Sequence, residues 1–298
     1  MLEKLVLAVV TPFNQNQAVD YESTGKLLDI WRKAGISQFF VCGTTGEMLG
    51  LTLDERKEVA EYYLKNKKST ETICVHIGGV GIDEVIELGK HAFANGADSV
   101  SIVTPHYYKI SQNAIADFYR QAIRGISADK DIYLYNIPQC TGNDLSVECF
   151  SELINEFPNV KGLKYSFFDP NRTQSYILAS DNKCNVLSGT DHMAVALVPL
   201  GVKGIVTGAA SVYPEVFAKY LDMVFAGKEV PLEFQQLVTE VVDILGYGNM
   251  SIFKAILNRK GLCKNIVRSP LVQLTPKEET ELFTKVDSFE SRVKKYLD

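Results

Sequence analysis

"QFFVCGTTGEMLGLTLDERKEVAEYYLKNKKSTETICVHIGG", residues 38–79, holds one complete structural unit of the chain. It opens on a short apolar and aromatic run ending in glycine, threonine and glutamate (38–47), and closes on a second β-branched run, "TICVHIGG" (72–79). Between them Thr52 stands three residues before Glu55, the spacing of a capping box, and Val59, Tyr62 and Tyr63 follow at helical intervals. Strand, helix and strand joined by tight connections require the two strands to lie parallel.

The same unit recurs in both directions. Short apolar runs ending in Gly, Thr, Pro or Asp are "LVLAVVTPF" (5–13), "SVSIVTP" (99–105), "DIYLYNIP" (131–138), "GLKYSFFD" (162–169), "NVLSGTD" (185–191) and "GIVTGAAS" (204–211), which with the first two make eight. Helical patterns separate them; Asp20, for example, precedes Leu27, Leu28, Trp31 and Ala34. Eight βα units closing on themselves form a (β/α)8 barrel, the TIM barrel of the α/β class. An open doubly wound sheet fits less well. Its first strand would need a G-x-G-x-x-G turn, and "GGVGID" (78–83) has the wrong spacing and reads as a plain turn.

Beyond the eighth unit the pattern is helical. "TPKEETELFTKVDSFESRVKKYL" (275–297) offers Thr275 as N-cap, Pro276 at the first helical position, Glu278 to close the box, and Leu282, Val286, Phe289 and Val293 on one face. The expected organisation is a barrel catalytic domain over residues 1–225 and a helical extension over 226–298 packed on it.

With 298 residues, 46% of them hydrophobic, the chain can bury a large core without disulfide or metal staples. A formal net charge of −5 provides no basic footprint for nucleic acid or an anionic membrane, so the expected partner is a small molecule. The apolar run from Leu5 to Val10 is too short for a secretory core or a bilayer span, which leads us to expect a cytoplasmic protein. Six scattered cysteines without C-x-x-C, and four histidines without H-x-x-x-H, suggest reduced thiols and no metal site.

In this barrel the chemistry sits at the C-terminal ends of the strands. Alternation in "GLKYSFFD" sends bulky Leu163, Tyr165 and Phe167 toward the helices and turns Gly162, Lys164 and Ser166 toward the axis. An unpaired ammonium in a packed interior is costly, and burial favours the neutral amine needed to attack a carbonyl. The alternative is a strand offset by one, with Lys164 emerging between helices into water. Lys161, at the start of the run, is expected to be solvated. Tyr135 stands near the C-terminal end of the fifth run on the same parity as Tyr133; it suits proton transfer beside an amine or, alternatively, a satisfied core tyrosine. "GTTGE" (43–47) lacks the lysine of a P-loop, but its hydroxyls and amides could cradle a small carboxylate, or form only a turn.

Taken in order, "GTTGE" (43–47), "VTPHYY" (103–108), "YNIP" (135–138) and "GLK" (162–164) resemble the dihydrodipicolinate synthase/N-acetylneuraminate lyase family of class I aldolases, across almost the whole chain. The resemblance implies that Lys164 forms a Schiff base with pyruvate or a related 2-oxo acid. It implies that Tyr135 shuttles protons and that Thr45 links it by hydrogen bonds to Tyr107, which in the family reaches a neighbouring subunit's site. It further implies that Thr44 and Thr45 hold the carboxylate and that Val206 lines the pyruvate pocket. No metal or other cofactor is implied, and the implied assembly is a homotetramer, a dimer of dimers.

Departures from the family pattern bear on the aldehyde half. Synthases carry an arginine two residues after the proline of "YNxP" to grip a carboxylate, and here that position is Cys140. "TPHYYKIS" (104–111) and the run through "TGND" (141–144) resemble the lyases and the aldolases of 2-keto-3-deoxy sugar acids. Ser166, Gly189 and Asp191 match lyase positions that hold sugar hydroxyls, but His192 replaces a glutamate and Gly208 stands near a serine. The implied function is pyruvate-dependent cleavage or formation of a 2-keto-3-deoxy sugar acid or sialic-acid-like substrate. Alternatives are a synthase-like condensation, a keto-deoxy-acid dehydratase, and, outside catalysis, a 2-oxo-acid-binding protein.

Overall fold

Eight parallel strands close into a barrel in sequence order, with β1 hydrogen-bonded to β8. The structure, a computed structural model, describes residues 1–127 and 129–297. The strands are β1 (Lys4–Ala8), β2 (Gln38–Val41), β3 (Thr72–His76), β4 (Ser99–Val103), β5 (Asp131–Asn136), β6 (Val160–Tyr165), β7 (Asn185–Ser188) and β8 (Gly204–Thr207). Around them run α1 (Tyr21–Lys33), α2 (Leu53–Lys65), α3 (Ile82–Ala94), α4 (Gln112–Ile126), the single turn α5 (Pro138–Thr141), α6 (Val147–Glu156), α7 (Pro170–Ser180), α8 (Ala194–Leu200) and α9 (Pro214–Phe225). Then follow α10 (Leu232–Ile244), α11 (Met250–Arg259) and α12 (Pro276–Val293).

The helix starts follow from local chemistry. Asp20 caps α1 by accepting from the Ser23 amide, and the Thr52/Glu55 and Thr275/Glu278 capping boxes are both formed. Each such cap stabilises its helix by about 1 kcal/mol. Leu282, Val286, Phe289 and Val293 of α12 are all buried, and the Phe289 ring meets Tyr213 edge-on at 5.2 Å.

Strand alternation divides the core in two. Residues such as Leu7, Phe39, Val75, Leu134, Leu163 and Tyr165 pack between sheet and helices. Val6, Ala8, Phe40, Cys74, Val103, Tyr133, Tyr135, Leu187 and Val206 fill the barrel itself. Tyr133 forms the floor, its hydroxyl accepting from the Leu2 amide at 2.6 Å, whereas Tyr135 stands two residues nearer the open end.

The β5–β6 register skips a residue, from Ile132 opposite Val160 to Tyr133 opposite Gly162. Lys161 is the extra residue of this bulge, and its ammonium bonds the Pro158 carbonyl at the rim. Gly162 then turns inward beneath Lys164, where a Cβ would lie 2.5 Å from the Tyr133 ring and 2.6 Å from the Asn185 carbonyl oxygen, so only glycine fits.

The polar tails of the sequence runs lie beyond the strands. β6 ends at Tyr165; the Ser166 amide makes a last bond to the Asn136 carbonyl, and the chain turns into α7, capped by Asp169. Phe167, expected to pack against the helices, is instead about half exposed at the barrel mouth, because the ladder that would keep strand alternation has stopped.

Candidate active site

Lys164 points into the barrel. Its side chain is 5% exposed, and Nζ lies 4.1 Å from the Tyr135 ring centre and 4.3 Å from that of Phe40. No carboxylate pairs with it among the described residues. Two cation–π contacts of about 1–2 kcal/mol offset only part of the cost of removing an ammonium from water. The offset register, with Lys164 between helices, is excluded by this placement.

Above Lys164 opens a cavity of about 650 Å³. Its wall includes Thr44, Thr45, Tyr135, Cys140, Ser166, Gly189, Asp191, His192 and Val206, so every residue singled out from the sequence except Tyr107 meets there with Lys164. Lys164 is the one lysine or arginine among the described lining residues.

The loop after β2 is a compact turn. The Gly46 and Glu47 amides bond the Gly43 and Thr44 carbonyls, and Thr11 Oγ1 donates to the Gly46 carbonyl at 2.8 Å. The Thr44 and Thr45 amides have no acceptor among the described residues, which leaves them available to a carboxylate. Val206 Cα pairs with Val6 across the β1–β8 seam, and its side chain belongs to the barrel interior.

Tyr107 lies elsewhere. It is 84% exposed, has a left-handed backbone (φ 78°) and meets Tyr108 edge-on at 5.1 Å. No hydrogen bond within the described residues joins Thr45 to Tyr135 or to Tyr107, so the expected relay is not assembled within one chain. The "TGND" run has a scaffolding position. Asn143 Nδ2 donates to the Pro105 and Tyr108 carbonyls at 2.8 Å each, holding the tyrosine loop, and Asp144 joins Asn136 to Arg172.

The far wall carries the polar groups. Asp191, in the cavity wall, has its Oδ2 accepting from the buried Thr207 Oγ1 at 2.7 Å, which fixes the carboxylate. His192 has its carbonyl held by Gln235 Nε2 at 2.7 Å, its Nδ1 3.9 Å from Asp191 Oδ1, and its ring edge-on to Tyr247 at 5.8 Å. Gly189 leaves room for Ser166, because a Cβ there would lie 2.0 Å from Ser166 Oγ. Gly208 likewise lies against Thr45, with a Cβ at 2.9 Å from Oγ1. Cys140 is exposed at the rim, and partial burial raises its thiol pKa.

Two features were not singled out from the sequence. His76 of β3 is buried within the barrel, 5.7 Å ring to ring from both Phe40 and Tyr135, the two rings on which Lys164 rests. Neither of its nitrogens has a hydrogen-bond partner among the described residues, and burial, Arg56 and Lys164 hold its pKa well below the usual range, so it is neutral near pH 7. The inward parity of His76 in "TICVHIGG" was the available signal. The second feature is an ion pair between Glu47 and Lys254, 2.5 Å apart, both buried. Glu47 belongs to "GTTGE", but nothing in the sequence pairs it with a lysine on α11.

Comparison with known proteins agrees with the fold. Residues 1–288 match the model of the Dihydrodipicolinate synthetase family. A 4-hydroxy-tetrahydrodipicolinate synthase of Hydrogenobaculum sp. is 31% identical over 95% of this chain and 97% of its own. Among solved structures, the chloride-inhibited dihydrodipicolinate synthase of Acinetobacter baumannii complexed with pyruvate superposes with a TM-score of 0.90 at 28% identity, covering 97% of this chain and 99% of that one. The sialic acid aldolase of Ruminococcus gnavus superposes with a TM-score of 0.91 at 25% identity, covering 99% of both. The chain belongs to the dihydrodipicolinate synthase family, and it is a class I aldolase, a lyase of that family.

Proposed function

We propose that the protein is a pyruvate-dependent aldolase working through a Schiff base on Lys164. The observation that carries this reading is a buried lysine that, among the described residues, has no carboxylate partner, rests on Tyr135 and opens on a cavity presenting two loop amides without an acceptor. Lys164 Nζ attacks the keto carbon of a 2-oxo acid whose carboxylate rests on the Thr44 and Thr45 amides. The C–N bond forms, the carbonyl oxygen takes one proton from the attacking nitrogen and a second from solvent, and water leaves to give a protonated imine. Tyr135 moves these protons.

In cleavage, the bond between C3 and C4 breaks and its electrons flow to the imine. The C4 hydroxyl loses its proton toward Tyr135, an aldehyde departs, and the enamine is protonated at C3 and hydrolysed to pyruvate. Synthesis is the reverse. Val206 closes the wall around the pyruvate methyl group.

For the aldehyde half we favour a neutral hydroxylated chain, that of a 2-keto-3-deoxy sugar acid or a sialic-acid-like substrate. Ser166, Asp191 and His192 offer hydrogen-bonding groups, and among the described residues no second lysine or arginine lines the cavity. The synthase name of the Hydrogenobaculum relative favours a second reading, condensation with a carboxylate-bearing aldehyde. Against it, Cys140 offers no guanidinium. Incubating candidate 2-oxo acids with the protein and identifying products separates these: pyruvate with a neutral aldehyde supports the first, cyclic condensation product the second, and loss of water without fragmentation a dehydratase.

The exposed Tyr107 and Tyr108 support an assembly in which this loop meets a second subunit, and we propose the homotetramer of the family resemblance. The six unpaired thiols fit a cytoplasmic setting. Among the described residues no helix is long and apolar enough to cross a membrane.

A further inference from the structure

The loop that presents Thr44 and Thr45 is anchored by α11 and by the segment between α11 and α12. Lys254 of α11 is completely buried, its Nζ 2.5 Å from Glu47 Oε1 and 3.9 Å from the Phe13 ring centre. The Arg268 amide reaches the other Glu47 oxygen at 3.4 Å, and its guanidinium binds both Glu55 oxygens at 2.6 Å and the Gly50 carbonyl at 2.9 Å. Glu47 holds a left-handed backbone (φ 54°), a conformation that a residue with a side chain adopts only when its surroundings impose it. Beside it Gly46 is pressed onto the end of β1, where a Cβ would sit 3.2 Å from Thr11 Oγ1 and 3.3 Å from the Val9 carbonyl oxygen.

The pair also lies next to the cavity on its other side. Phe253, adjacent to Lys254 in the chain, lines the cavity near Gly208, the residue in contact with Thr45. A buried ion pair is weak grounds for stability, since an apolar pair of similar volume often serves as well; its better-attested use is to fix one arrangement among alternatives.

We infer that Glu47 and Lys254 are positioning residues for the aldolase reaction: their ion pair fixes the strained 43–47 turn against α11 and so sets where the Thr44 and Thr45 amides receive the 2-oxo-acid carboxylate. This rests on the pyruvate reading given above. It also gives the C-terminal helices a direct part in substrate binding.

The test uses the full-length double variant Glu47→Gln/Lys254→Met, which removes both charges, because either single change leaves a buried charge unpaired and can unfold the chain. Two measurements are compared with wild type on folded protein: hydrogen exchange of the peptide spanning residues 43–50, and the pyruvate concentration giving half-maximal borohydride trapping. Exchange should quicken over 43–50 by at least about tenfold while β6 peptides are unchanged, as expected when a local constraint is lost. Half-trapping should need about tenfold more pyruvate, with trapping at saturation retained, the pattern of a binding defect. Unchanged exchange over 43–50, or faster exchange with unchanged half-trapping, overturns the inference. If exchange quickens while even wild type is never trapped, the Schiff-base reading has failed and with it the substrate role inferred for the pair, leaving the anchoring of the loop as a structural fact alone.

Discussion

Lys164 and Tyr135 are register partners on adjacent strands, and the Lys164 Nζ lies 4.1 Å from the centre of the Tyr135 ring. One residue of slip in either strand would separate them, since it sends the side chain to the opposite face. The bulge at Lys161, one turn of the ladder earlier, is part of what sets this register.

Replacing Tyr135 by Phe keeps the ring under the ammonium and removes the hydroxyl proposed to carry protons. Turnover should fall by about 10²–10⁴-fold, the usual worth of a general acid–base group, with pyruvate binding changed only a few-fold. Steady-state kinetics beside a pyruvate titration checks this; an equal loss in both would assign Tyr135 to binding.

Gly208→Ser places a Cβ 2.9 Å from Thr45 Oγ1. Because Thr45 belongs to the tight 43–47 turn, the clash is expected to move the carboxylate site, and the KM for pyruvate should rise about tenfold, equivalent to about 1.4 kcal/mol. A serine at this position should therefore harm this protein. An unchanged KM would mean that Thr45 can yield freely.

Cys140→Arg introduces a guanidinium at the exposed rim of the cavity. If the missing cation is what disfavours a carboxylate-bearing aldehyde, kcat/KM for condensation with such an aldehyde should rise at least about tenfold, the scale of one charge-assisted pair. The same measurement with a neutral hydroxylated aldehyde should show a loss or no change. A gain with both would point to a general effect of charge at the mouth.

His76 makes stability depend on pH in a definite direction. Its folded pKa lies well below the ordinary value because of burial, Arg56 and Lys164. The unfolded chain therefore binds a proton that the folded one does not once pH drops below about 6.5. Stability attributable to this residue is full above that pH and is lost as pH falls, by about 1.4 kcal/mol per unit until the folded state also protonates. Denaturant unfolding of wild type and His76→Asn between about pH 7 and 5 checks it; parallel slopes would show that His76 is not the group responsible.

Much of this was legible because strand parity and caps are local. The repeating strand–helix unit gave the barrel, Thr52 and Glu55 gave a helix start, and alternation around Leu163 and Tyr165 turned Lys164 inward. Phe167 was misplaced because alternation cannot report where a ladder ends, and that is set by the neighbouring strands. Glu47 and Lys254 meet only after the whole barrel has closed and α11 has packed across it, so no spacing announces them. His76 carried a readable parity, but a lone histidine in an apolar strand gives no sign of which rings it will face. Tyr107 is the converse, a residue whose role, as the resemblance implies it, needs a second chain and whose own chain leaves it at the surface.

Reduction with borohydride in the presence of pyruvate, followed by peptide mass mapping, is the most direct test. A stable pyruvate adduct on Lys164, lost in a folded Lys164→Ala variant together with turnover, is the predicted result. Absence of an adduct, an adduct on Lys161 or Lys203, or a Lys164→Ala variant with nearly full activity would contradict Schiff-base catalysis at this site.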